Sequence, residues 1–223
     1  RRLRSRLGLS GFAGVDCVGL SGGLALFWHE SMYVEVKDSN ERFIDVYMRA
    51  SPSDPLWHAT FVYGEPRQEN RHQMWSTLCS LRAMSLLPWF AVGDFNEALW
   101  QYEHFSATLR AESLMAAFRD ALLLCGLHDL GFKGLPYTFD NGRARNGNVK
   151  VRLDRALADD SWRDIFSETS VVHLVSPASD HCPVLVSLNK ENRPTRTQRC
   201  KQYEICWERE EALPAVIAEA WQS

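Results

Sequence analysis

The stretch "PWFAVGDFNEAL", residues 88–99, leaves Pro88 and runs through Trp89, Phe90, Ala91 and Val92 without a polar residue before it meets Gly93 and Asp94. A short apolar run bounded by turn formers reads as a strand, because a helix at this length would be unusually brief. Polar groups at the end of such a strand are where α/β folds present chemistry to a crevice. Asp94 and Asn96 stand two residues apart there, so extended backbone would point both side chains the same way.

Working outward, "LWHATFVYGEP" (56–66) alternates apolar and polar residues and is stopped by Pro66. "RQENRHQMWSTLCSLRAMS" follows with Met74, Leu78, Leu81 and Met84 at helical spacing, the stripe of a core-facing helix. Upstream, "GGLALFW" (22–28) enters a strand, and "MYVEVKD" (32–38) with "RFIDVYMRA" (42–50) forms a hairpin around "SNE". Downstream, "RAESLMAAFRDALLLCG" places Leu114, Phe118, Leu122 and Cys125 on one helix face, with Gly126 as its stop. "LPYTFDNGR" (135–143) reads as a strand entering an Asn-Gly hairpin turn, from which "VKVRLDRALA" (149–158) returns. A short helix in "DDSWRDIF" and two late strands, "SVVHLVS" and "PVLVSL", complete the order. Hairpins mixed with strand–helix–strand crossovers predict an α/β layered domain with mixed sheets. After Leu188 the polar "NKENRPTRTQRCKQ" reads as a linker, so the domain is placed at 1–188 and a linker with a short helix at 189–223.

The composition narrows the function classes. Forty-five per cent apolar and 11% aromatic residues can build a core and argue against a disordered chain. With 25 basic against 28 acidic residues the chain is no broadly basic nucleic-acid coat, although a local groove can still be positive. The dense basic run "RRLRSR", Arg1 to Arg6, reads as a solvated helix end. Six scattered cysteines without a CxxC pair predict reduced, mostly buried thiols in an intracellular protein. Stretches such as "ALLLCGL" fall far short of a membrane span, and no apolar leader is visible.

Four strand ends carry polar groups: "FVYGEP" with Tyr63 and Glu65, "VGDFNEAL" with Asp94 and Asn96, "VRLDRAL" with Asp154, and "SDHCPVLVSL" with Asp180 and His181. Singly each is ordinary turn or ion-pair composition. Gathered on one edge, they suit metal-assisted phosphodiester hydrolysis. Carboxylates are hard ligands for Mg²⁺ and can position a water. A histidine oriented by an acid can hold or protonate a phosphoryl oxygen, and an amide and a phenol can donate to developing charge. No Gly-x-Ser-x-Gly elbow, Walker loop or dinucleotide fingerprint competes, and "GLSGG" has the wrong spacing for one. Arg143, Arg145, Lys150, Arg152 and Arg155 lie near these segments, where they would follow a DNA backbone or form a charged hairpin in water.

The ordered series "FVYGEP", "GDFNEAL", "YTFDNG", "VRLDRALA" and "SDHCPVLVSL" resembles the endonuclease/exonuclease/phosphatase superfamily. More closely, with "SGGLALFW", "LPWFAVGDFNE" and the tail "YEICWEREEALPAVIAEAW", it resembles the endonuclease domain of plant LINE-type (non-LTR) retrotransposons. The resemblance implies a four-layered α/β sandwich that nicks duplex DNA with Mg²⁺ or Mn²⁺, monomeric, nuclear and followed by a reverse transcriptase. It implies that Asp94 orients or deprotonates the attacking water and Asn96 contacts the phosphate. Asp154 would orient His181 on the scissile phosphate, Asp180 would lie by the metal, and Tyr63 would contact the phosphate. Family members begin with an asparagine-bearing strand and a segment ending in a metal-ligating glutamate. Neither matches here, since Glu30 and Glu65 lie in no corresponding motif, so the first strand is expected to be missing and the activity impaired. A non-catalytic remnant that at most binds DNA or a partner, and a phosphatase acting on a small phosphorylated molecule, are the competing expectations.

Overall fold

The structure is a computed structural model that describes residues 6–17 and 23–188. The linker and helix expected at 189–223, and the basic run up to residue 5, lie outside the described residues. The expected hairpin forms as β3 (Tyr33–Asn40) and β4 (Phe43–Arg49), its turn held by the Asn40 side chain, which accepts from Arg42 N–H at 2.7 Å and Phe43 N–H at 3.2 Å. Ahead of it stand β1 (Gly11–Val15), which sequence reading did not assign, and β2 (Leu24–Trp28), paired antiparallel. β1 was hidden because glycines at two of its five positions dilute the strand pattern.

β5 (Trp57–Tyr63) runs antiparallel to β4. Helix α1 (Arg71–Met84) then crosses over to β6 (Trp89–Asp94), which lies parallel to β5. Beyond β6 come the short β7 (His104–Phe105) and helix α2 (Glu112–Cys125), which ends at Gly126 in the left-handed region at φ 66°, as its composition predicted. β8 (His128–Asp129), β9 (Lys133–Gly134), β10 (Phe139–Asp140) and β11 (Lys150–Val151) are two-residue strands. β12 (Asp154–Ala158), α3 (Asp160–Ile165), β13 (Ser170–His173) and β14 (Val184–Ser187) follow. The large sheet has the order β3-β4-β5-β6-β12-β8, beside three-stranded sheets β10-β11-β7 and β14-β13-β9.

Strand alternation sends one set of side chains to each face of the large sheet. Phe43, Val62, Trp89 and Ala91 meet Met74, Trp75, Leu78 and Leu81 of α1 and Phe118 and Leu122 of α2, with Trp75 stacked on Phe118 at 4.3 Å. Ile44, Val46, Ala59, Phe90 and Ala156 face the other way. They pack on Trp162 of α3 and on residues of β1, β2, β13 and β14 such as Val15, Leu26, Val171 and Val186. The result is the mixed α/β layering expected from the order of elements. Phe90 could serve this second core only because the strand is covered on both faces, which explains its unbroken apolar run.

Four details differ from the sequence reading. Met84 closes the α1 stripe but is 73% exposed, because the helix ends there beyond the sheet. Asn141-Gly142 does not make a two-residue turn: the chain crosses from β10 to β11 over residues 141–149, closed by Asn141 N–H donating to Val149 O at 3.1 Å. Of the described cysteines only Cys125 is buried, while Cys79 and Cys182 are half-buried and Cys17 is exposed. Arg152 and Arg155 follow no surface. Both are buried, Arg155 completely, in a quartet with Glu103 and Asp129 at 2.7–3.0 Å. Their guanidinium planes fork onto carboxylates that the fold brings from distant segments, which satisfies the charges where water cannot. Among the described residues no helix is long and apolar enough to cross a membrane.

Candidate functional site

Three neighbouring strands end in one row. In the parallel β5–β6 pair Tyr63 stands opposite Asp94, and in the antiparallel β6–β12 pair Asp94 stands opposite Asp154. Opposed residues share a sheet face, so register alone sets these side chains side by side. Gly93 makes the close approach possible: it holds φ 141°, and a Cβ there would lie 2.0 Å from Val62 O.

The strand stops at Asp94. Asn96 is not extended but left-handed at φ 56°, and it reaches Asp94 by turning back. Its N–H donates to Asp94 Oδ1 at 2.7 Å, and its side-chain amide donates to Asp94 Oδ2 at 3.1 Å and to Gly64 O at 3.0 Å. The expected neighbourhood of Asp94 and Asn96 therefore arises from an Asx turn and not from strand alternation. Gly64 closes the gap from the other side, donating its N–H to Asp94 O at 2.6 Å.

His181 arrives from a distant part of the chain. Its Nδ1 lies 2.8 Å from Asp154 Oδ2, which leaves Nε2 without a hydrogen bond among the described residues. The segment carrying it is fastened to the β10 strand: Asp140 N–H donates to Asp180 O at 2.9 Å and Cys182 N–H to Thr138 O at 2.7 Å. Thr138 is fully buried, and its Oγ1 accepts from Leu153 N–H and Asp154 N–H at 2.9 Å each. Thr138 thus fixes both partners of the histidine–aspartate pair. Sequence reading missed this role, although the residue lies inside the "YTFDNG" segment that it singled out.

The electrostatics follow from this crowding. Burial, and next the charge of Asp154 opposite, push the Asp94 carboxyl up to about 6. The hydrogen bond that the His181 ring gives to Asp154 holds it above its ordinary value, against the opposing effect of burial. Among the described residues no arginine or lysine forms an ion pair with Asp94. Asp180 is exposed, and the carboxylate carries no hydrogen bond among the described residues. Tyr63 is half-buried with the Arg42 guanidinium 5.9 Å from its ring. Glu65 is not a free carboxylate, because Arg42 pairs with it at 2.7 Å, and Glu30 is exposed on the turn before β3. Arg143 and Arg145 are exposed beside the site, and Lys150 pairs with Asp140 at 2.9 Å.

Tyr63, Asp94, Asn96, Asp154, Asp180 and His181 are thus all carried on strand ends and loops at one end of the layered α/β domain. The profile of the endonuclease/exonuclease/phosphatase family matches residues 4–181, and the chain belongs to that family. No curated protein sequence matches it. In structure it is similar to the endonuclease domain of TRAS1, a telomere-specific non-LTR retrotransposon, with a TM-score of 0.62 at 17% identity over 84% of this chain and 82% of that one. It is also similar to the AP endonuclease LMAP from Leishmania major, with a TM-score of 0.59 at 18% identity over 78% and 69% of the two chains. The catalytic domain of Xenopus laevis APE2 follows with a TM-score of 0.53 at 16% identity, covering 74% and 70%.

Proposed function

We propose that the chain is a divalent-metal-dependent phosphodiesterase domain of a LINE-type retroelement, a DNA endonuclease that nicks duplex DNA ahead of a reverse transcriptase. The observation that carries this reading is the His181–Asp154 pair at 2.8 Å beside the half-buried Asp94–Asn96 turn. The likeness to a retrotransposon endonuclease and to AP endonucleases supports it.

A divalent cation suits the carboxylates present. Asp94 faces Asp154 in register with no cationic side chain paired to it, and Asp180 offers free hard oxygens nearby. No group of three or more His, Cys, Asp or Glu gathers for a metal among the described residues, so water and substrate oxygens would complete the shell, a habit of Mg²⁺. Asp180 would hold the ion, which when bound withdraws charge from a phosphoryl oxygen. Asp94, with its acidity near neutral, takes a proton from the attacking water. Asn96 fixes the Asp94 carboxylate through two hydrogen bonds, so that the base is ready before substrate arrives. His181, whose protonated form Asp154 favours, donates from Nε2 to a non-bridging oxygen, and the Tyr63 hydroxyl adds a second donor. Arg143 and Arg145 meet the DNA backbone at the rim.

Supercoiled plasmid incubated with the purified chain and Mg²⁺ or Mn²⁺, beside a chain extended upstream of Arg1, tests the reading. Nicking that drops by about 10²-fold or more in His181→Ala is the expected outcome. Folded protein that leaves plasmid intact with both ions, in both chains, refutes it.

A further inference from the structure

We propose that Glu97 is a positioning residue: held between Arg71 and Arg110, it locks the loop after β5 to the loop after β6 and thereby sets the geometry of Asn96 and Asp94. The role attaches to the phosphodiesterase reading above, but its geometric part stands apart from any turnover.

Glu97 is 2% exposed, yet every side of its carboxylate is used. Oε2 accepts from Arg71 Nη1 and from Arg110 Nη2, each at 2.7 Å. Oε1 accepts from Arg110 Nε at 2.9 Å and from Ala98 N–H at 3.1 Å. A carboxylate this deep is tolerated only when it is paired and fully hydrogen-bonded, and a forked arginine does both with fixed geometry. The remaining donors of Arg71 show what the arrangement holds. Nε donates to Glu65 O at 3.2 Å and Nη2 to Pro66 O at 3.1 Å, so one guanidinium spans from Glu97 to the carbonyls that follow β5. The same two loops meet again where Gly64 N–H donates to Asp94 O and the Asn96 amide donates to Gly64 O. There is no slack at that contact: a Cβ on Gly64 would lie 2.7 Å from the backbone of Phe95. Asn96 is left-handed, a conformation that asparagine tolerates and that its Asx turn on Asp94 uses. Glu97 is the next residue, so its clamp fixes the chain directly after that turn, and the polar group beside the site acts on the reaction without touching substrate.

The test compares the full chain with Glu97→Gln and Glu97→Asp. Amide hydrogen exchange reports the geometry, and steady-state nicking reports the consequence. In Glu97→Gln the amides of Gly64 and Asn96 are expected to exchange about tenfold faster or more, while those of β4 and β5 keep their rates. kcat falls about tenfold or more with KM within about twofold, since binding survives and alignment does not. Glu97→Asp restores part of both. If Glu97→Gln fails to fold because two guanidinium groups are left around a neutral amide, Glu97→Gln combined with Arg110→Met removes the excess charge and repeats the comparison. Unchanged exchange at Gly64 and Asn96 overturns the proposal, as does equal acceleration through the whole sheet, which marks a merely structural group. Failure of both the wild-type and the upstream-extended chain to nick refutes the phosphodiesterase reading alone, because the exchange comparison still decides the clamp.

Discussion

Asp94 is the residue on which stability and chemistry oppose one another. Its carboxyl is pushed up to about 6 by burial and by Asp154, so the folded state holds its proton more tightly than the unfolded chain does. The penalty is absent below the ordinary carboxylate range near 4 and grows as pH rises through about 6. Asp94→Asn removes the charge but turns one of the two acceptors for Asn96 into a donor, so it is expected to lose about 2 kcal/mol less stability between pH 4 and pH 8 than the native chain loses, while abolishing nicking. Urea unfolding at both pH values measures it, and an unchanged pH dependence in the variant would count against the reading. His181 has the same pH sign by a different route, the loss of an attraction and not the growth of a penalty. The Asp154 hydrogen bond raises the ring above its ordinary value, so the pair contributes stability that is complete below about 6.5 and is lost as pH rises through the folded value. Replacing Asp154 by Asn is expected to lower the His181 titration midpoint seen by NMR; an unmoved midpoint would show that Asp154 does not orient the ring.

At the scale of elements, the site depends on strands anchored from behind by the Glu103–Asp129–Arg152–Arg155 quartet. β12 carries Arg155 one residue after Asp154, and its neighbour β8 supplies Asp129. Arg152 further stacks on Phe132 at 4.5 Å and Arg155 lies over Phe118 at 5.7 Å. Truncating one member leaves unpaired charge in the core, so Arg155→Ala is expected to cost about 3–5 kcal/mol in urea unfolding. Arg143→Ala, exposed on the loop between β10 and β11, should stay within about 0.5 kcal/mol. Similar costs for the two arginines would contradict the assignment of one to the core and one to the surface. The sequence could not separate them: an Arg-x-Asp-Arg run looks the same in water as in a core. Arg152 is buried because Glu103, 49 residues away, and Asp129, 23 residues away, are folded against it.

Across the whole molecule, what was legible was local. The apolar run before Asp94 made β6 a strand by its own composition, alternation marked β4 and β5, and Gly126 announced the end of α2. Those signals live within a few residues, and the polar strand ends they delimit include each proposed site residue, because polar groups gather where a regular element stops. The sequence by itself therefore determined the order of the longer elements other than β1, the layered α/β class and the identity of Tyr63, Asp94, Asn96, Asp154, Asp180 and His181 as candidates. Only the tertiary structure decided how they meet. Strand register sets Asp94 against Asp154, the turn at Asn96 replaces the extended spacing first read there, and Thr138 ties the His181 segment to β12. It also decided that Glu65 is already paired, that Arg152 and Arg155 are structural, and that Glu97 is buried between two arginines. The physical reason is the same throughout. Burial, ion pairing and acidity belong to the groups that surround a side chain, and those groups come from segments that are neighbours only once the sheets have formed.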